Sequence, residues 1–138
     1  MAIPLRKPNE IDKLRIANIA VAKTLNYLKT TVKAGMTLKQ VDEMGEKFLR
    51  DLGARPSFKG LYGFPAAICT SLNEVIIHGI PTDVVLKEGD ILGIDIGSEI
   101  DGWYGDSAIT MPIGKISKED EALIACAKDS LYYAIDVI

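Results

Sequence analysis

Asp95 and Asp106 stand on either side of an Asp101-Gly102 dipeptide, and that spacing is the strongest chemical signal in the chain. Asp-Gly favours a two-residue hairpin turn because both central residues need a positive φ. Residues 91–100 then form one strand and 103–112 its return, with Ile100 opposite Trp103, Gly97 opposite Asp106 and Asp95 opposite Ala108. Side chains alternate faces along a strand, so Gly93, Asp95, Gly97 and Glu99 share a face with Tyr104, Asp106, Ala108 and Thr110. The two aspartates become diagonal neighbours roughly 7–8 Å apart at the backbone, close enough for their carboxylates to share an ion. Gly97, opposite Asp106, is expected to leave open space beside them. The other face carries Leu92, Ile94, Ile96, Ile100, Trp103, Ile109 and Met111 and reads as core. A solvated hairpin face also fits two acids. Against it, aspartate is depleted from strands and like charges on one face repel, a repulsion that a divalent cation relieves.

His78 is the one histidine of the chain. It follows an apolar run and precedes Gly79-Ile80-Pro81, a rigid turn that presents the imidazole at a strand end. A neutral imidazole there can bind metal, orient a substrate amide or transfer a proton, and a structural role is also open.

The elements that must position these groups follow from periodicity. Pro8, Glu10 and Asp12 open a helix, and Ile11, Leu14, Ala17, Val21, Leu25, Leu28 and Val32 recur at helical spacing up to Gly35. Thr37 and Gln40 make a capping box for a second helix that buries Val41, Met44, Phe48, Leu49 and Leu52 before Gly53. Proline, glycine and aromatic residues make 55–65 an irregular loop. Residues 66–70 and 75–77 read as short strands around a turn at Asn73-Glu74. Ser117 caps a last helix with Leu123, Ala127, Leu131, Ala134 and Ile138 on its apolar side, and no stop signal follows before Ile138. The order helix, helix, strands, helix predicts an α+β layered fold: an antiparallel sheet with helices packed on one face.

At 138 residues and 48% hydrophobic content the chain reads as a single domain, residues 1–138, with a substantial core. A net charge of −3 gives no basic footprint for nucleic acid or an anionic membrane. Residues 1–7 lack the apolar run of a signal peptide, and no later stretch approaches a membrane span. Cys69 and Cys126 have no metal-motif spacing and are too few for a disulfide framework, so a cytoplasmic setting with reduced thiols is the expectation.

Longer motifs extend this reading. Asn73-Glu74-Val75-Ile76-Ile77-His78-Gly79-Ile80-Pro81, Gly89-Asp90-Ile91-Leu92-Gly93-Ile94-Asp95 and Asp101-Gly102-Trp103-Tyr104-Gly105-Asp106-Ser107 together resemble the type I methionine aminopeptidases. The stretch from Gly35-Met36-Thr37 to Asp42 and the loop Gly63-Phe64-Pro65 also match, so the resemblance covers the chain from Ala2 onward. It implies the first half of a pita-bread fold. Asp95 would bind one metal and Asp106 would bridge two, the ions being Co, Mn, Fe or Zn. His78 would contact the substrate or steady the tetrahedral intermediate. Phe58, Leu61, Phe64 and Cys69 would line an apolar pocket for the methionine side chain. The implied partner is a peptide or nascent-chain N-terminus, with no direct role for nucleic acid or membrane.

The family draws a further histidine and two glutamates, as well as a second active-site histidine, from its second half. Glu99, Glu119 and Glu121 do not match those motifs. Leu61 and Tyr62 follow Gly60 where relatives usually place an aromatic residue first, and Gly97 stands where a small polar residue is common. The expectation is therefore an incomplete, inactive fragment that tends to self-associate. A non-catalytic metal- or peptide-binding half-domain and a proline-type aminopeptidase or dipeptidase are the alternatives, and Asn73–Pro81 favours the methionine enzyme over the latter.

Overall fold

The computed structural model describes residues 3 and 5–138. The N-terminal readings that rest on Met1, Ala2 and Pro4 lie outside the described residues. Helix α1 runs Pro8–Thr31. It begins where the Lys7 N–H donates to Glu10 Oε2 at 2.7 Å, with Pro8 in the first position, where a missing N–H costs nothing. Helix α2 runs Leu38–Asp51 and carries the expected reciprocal cap: Gln40 N–H donates to Thr37 Oγ1 at 3.2 Å and Thr37 N–H donates to Gln40 Oε1 at 2.9 Å. Gly53, at φ 79°, ends it in the left-handed region. The two helices meet through stacked Tyr27 and Phe48 rings, 4.3 Å between centroids.

Four antiparallel strands form one sheet: β1 (Arg55–Pro56), β2 (Ile68–Leu72), β3 (Ile91–Ile100) and β4 (Trp103–Pro112). Strand β3 is its spine, pairing along its whole length with β4 on one side and with β1 and β2 on the other. Asp101 and Gly102 take φ of 51° and 80°, and the hairpin register has Gly97 opposite Asp106 and Asp95 opposite Ala108, as the dipeptide predicts. Leu92, Ile94, Ile96 and Met111 are buried on the inner face and join Val21, Leu25, Leu28, Val41 and Leu49 of the two helices in one core. The fold is thus α+β, with α1 and α2 on one face of an antiparallel sheet.

Helix α1 approaches the hairpin at backbone distance. A Cβ on Gly105 would lie 2.6 Å from the Ala17 carbonyl carbon and the Asn18 nitrogen. Buried Ser98, opposite Gly105, donates to the Ala17 carbonyl at 2.9 Å, and the Asp106 N–H reaches Asn18 Oδ1 at 3.4 Å. One helical turn therefore seats against the residues flanking Asp106.

Several expectations need correction. Residues 75–77 form no strand. After the Asn73 turn (φ 51°) the Asn73 side chain ties to Asp90 and Ile91, and the segment swings away, leaving Ile76 90% exposed. Strand β2 begins at Ile68 rather than residue 66, because the Ala67 and Ile68 N–H groups are taken by Asp42 Oδ1 of α2 at 2.9 Å each. Arg55–Pro56 is a short strand inside the stretch read as loop, too brief to leave a period. Helix α1 stops at Thr31, before Gly35, and Ile11 at its start remains exposed. Helix α3 (Lys118–Asp136) is capped by Ser117 as expected, yet none of its residues is buried. Leu123 and Leu131 are about three-fifths exposed, since α3 packs only sparsely against the sheet, chiefly at β4.

Replacing Gly105 with alanine forces the α1 backbone off the hairpin. The expected outcome is a loss of about 1–3 kcal/mol in urea-unfolding stability. An unchanged midpoint would refute the close approach.

Candidate metal centre and side-chain pocket

On the sheet face away from α1 and α2 lies a cavity of about 480 Å³. Every residue expected at the site lines it: Asp95, Asp106, His78, Phe58, Leu61, Phe64 and Cys69. Three strands supply the floor. Asp95 on β3 sits between Cys69 of β2 and Ala108 of β4, and Asp106 projects from β4 opposite Gly97. The space expected at Gly97 is filled, because a Cβ there would collide with Ser57 Oγ and the Phe58 ring. Glycine at 97 thus admits the pocket wall rather than solvent.

His78 takes a left-handed φ of 57°, a conformation rare for a residue with a Cβ. It is held there by Gly79, whose carbonyl accepts from Thr70 N–H at 2.8 Å and whose N–H donates to Ser71 Oγ at 3.2 Å. A Cβ on Gly79 would press into the Thr70 carbonyl, so only glycine lets the chain lie this close to β2. Exposed His78 thereby faces the cavity from a fixed backbone.

The apolar wall is one compact segment. Gly60, Tyr62 and Gly63 all have positive φ around a single 3-10 turn, Leu61–Gly63. Gly60 N–H donates to the Phe64 carbonyl and Phe64 N–H to the Leu61 carbonyl, each at 2.9 Å. Tyr62, Gly63, Pro65 and Ile80 also line the cavity and were absent from the sequence-derived pocket. Gly63 and Pro65 belonged to the matched Gly-Phe-Pro motif and could have been included. Tyr62 carried no periodic signal; its ring stands wholly exposed.

Electrostatics mark the acid pair. Partial burial, then the facing Asp106 carboxylate, push the Asp95 carboxyl up to about 6, and the two carboxyls are near enough to share a proton. His78, when charged, and the Ile96 N–H draw it partly back down. Burial and the same two carboxylates push the Cys69 thiol up to about 11, so at neutral pH it is a protonated, apolar wall. Two converging carboxylates that repel one another are a donor set that fits a hard or borderline divalent cation in place of the shared proton. Among the described residues no group of three or more His, Cys, Asp or Glu side chains is placed to hold a metal, and Asp95 and Asp106 stand as a pair of candidate donors.

Comparison with known proteins places the sequence and its fold in a family. The model of metallopeptidase family M24 matches residues 12–138. A methionine aminopeptidase of Helicobacter pylori is 56% identical over 138 residues, covering 100% of this chain and 54% of the relative. Methionine aminopeptidase 1 of Bacillus subtilis is 46% identical over 127 residues, covering 92% and 51% respectively. The crystal structure of methionine aminopeptidase from Thermotoga maritima superposes with a TM-score of 0.95 at 34% identity, over 99% of this chain and 55% of that one. The chain thus spans about half the length of the curated relatives it matches, and its fold corresponds to half of their pita-bread architecture. Matched by the family's model along nearly all its length, the chain belongs to metallopeptidase family M24.

Proposed function

We propose that this chain provides the first half of the active centre of a metal-dependent aminopeptidase that removes the initiator methionine from new proteins. The observation that carries the reading is the convergence of the acid pair, His78 and an apolar wall on one cavity. Asp95 and Asp106 would hold the divalent ions, two in number and drawn from Co, Mn, Fe or Zn. When bound, such ions supply Lewis acidity toward a peptide carbonyl and activate water.

The chain's own residues supply selectivity and orientation. Phe58, Leu61, Phe64 and protonated Cys69 offer an unbranched thioether side chain apolar contact and no charge. His78, held by the Gly79 contact, directs an imidazole toward the scissile amide, where it orients the substrate or steadies developing charge. The partner is a peptide or nascent-chain N-terminus, met in the cytoplasm without direct engagement of nucleic acid or membrane. No helix among the described residues is long and apolar enough to cross a membrane.

With a partial ligand set, the 138-residue chain alone is expected to hydrolyse Met-peptides no faster than a protein-free control in Mn(II) or Co(II). Turnover abolished by Asp106→Asn would overturn that expectation while supporting the assigned reaction.

A second expectation concerns pH. The folded Asp95 pKa of about 6 exceeds the ordinary carboxylate value of 3.8. Its favourable contribution is therefore complete below the unfolded pKa and is lost as pH rises through about 6. Metal-free Asp95→Asn should be more stable than wild type at pH 7.5 by about 1–2 kcal/mol, after discounting for solvent screening. The gap should close near pH 4, as thermal unfolding across pH would read; a pH-independent gap would count against the coupled pair.

Leu123, Leu131, Tyr132 and Val137 on and just beyond α3 are exposed, which should make the chain self-associate. Sedimentation coefficients should rise with concentration. A monomer at every concentration would rule this out.

A further inference from the structure

The apolar wall of the cavity hangs between two points, and both are gripped by α2. At one end Lys59 Nζ pairs with Glu46 Oε2 at 2.7 Å. At the other, Asp42 Oδ1 accepts from both Ala67 and Ile68 N–H groups at 2.9 Å. Between those anchors lie Leu61, Tyr62, Gly63, Phe64 and Pro65, all facing the cavity. The backbone N–H groups of this segment at Gly60, Leu61, Gly63 and Phe64 are taken up by internal turn bonds, and the segment makes no backbone bond to the sheet until Ile68.

The spacing on α2 is what allows the grip. Asp42, Gly45, Glu46 and Leu49 fall at i, i+3, i+4 and i+7, one stripe of a helix. Leu49 is fully buried and Gly45 packs against Ile68, where an added Cβ would come within 3.2 Å of its Cδ1. That close approach brings the Asp42 carboxylate to the start of β2. Bonds from two backbone N–H groups to one half-buried carboxylate are charge-assisted and stronger than neutral ones. The Lys59–Glu46 pair, about half exposed at the lysine, adds direction more than energy.

We propose that Asp42 and Glu46 are positioning residues for the substrate side-chain pocket, holding the segment between Lys59 and Ile68 so that its apolar wall stands over Asp95 and Asp106. The proposal rests on the reading of that cavity as a methionine pocket, and it goes further by assigning its shape to a helix that touches neither substrate nor metal.

The test uses the 138-residue chain with Asp42→Ala, Asp42→Asn and Glu46→Gln. Asparagine keeps a carbonyl oxygen that accepts the same N–H groups, so it is the conservative rescue. Hydrogen exchange at the Gly60 and Phe64 amides should quicken about tenfold or more in Asp42→Ala, recover largely in Asp42→Asn, and quicken less in Glu46→Gln, while amides of the paired core of β3 and β4 stay as in wild type. In parallel, L-methionine amide should bind Asp42→Ala about tenfold more weakly, with Mn(II) affinity within about twofold of wild type. Unchanged exchange at Gly60 and Phe64, or acceleration equal across all amides, would overturn the proposal; so would equal losses of amide ligand and Mn(II). Glu46→Gln, a near-isosteric change at a pair whose lysine is about half exposed, keeps the test open should Asp42→Ala fail to fold. If the exchange pattern appears but L-methionine amide binds no version of the chain, the methionine-pocket reading fails and the helix grip stands.

Discussion

Two carboxylates are forced to face one another across a hairpin, and the rest of the fold is arranged around that unfavourable contact. The Asp101-Gly102 turn sets a register from which neither acid can escape, because a one-residue slip would turn Leu92, Ile94 and Ile96 out of the core. Burial of that apolar face thus holds Asp95 beside Asp106 at the expense of a carboxyl pushed up to about 6. Carboxyls perturbed in this way cluster at functional sites.

Rigidity is concentrated where the acids need it. Strand β3 is paired on both sides over most of its length, and α1 seats its own backbone against Gly105 and Ser98, immediately beside Asp106. The inner face of the hairpin is therefore fastened by both hydrophobic burial and a buried hydrogen bond. The outer face is left free for chemistry. His78 is fixed by a different device, a glycine neighbour pressed on β2, which lets a left-handed backbone point an exposed imidazole into the cavity.

The apolar wall follows another logic. It is short, glycine-rich and self-bonded, with Gly60, Tyr62 and Gly63 all in the left-handed region. Its anchors come from the acidic stripe of α2, so the helix that packs the core also sets the pocket's shape. Paired carboxylates on a stiff sheet and apolar side chains on a tethered loop separate two requirements: carboxylate geometry tolerates little error, whereas an apolar pocket can adjust by packing.

Much of this was legible in the chain itself. The hairpin register, the caps of α2 and α3, the buried stripe of α1 from Ala17 to Leu28 and the placing of Asp95 and Asp106 on one face follow from local rules: turn chemistry, capping and periodicity act between residues close in sequence. Distant contacts were not legible. Asp42 reaching Ala67 and Ile68, Phe58 filling the space beside Gly97, Gly105 meeting α1 and Gly79 meeting β2 each join segments whose approach no local pattern encodes. The same limit explains α3, whose amphipathic spacing stated which side was apolar but not whether anything would cover it. Sequence alone determined which groups share a face, because side-chain alternation is a property of the strand. Only the tertiary structure decided how near the walls stand and what holds them, because those distances come from packing between elements far apart along the chain.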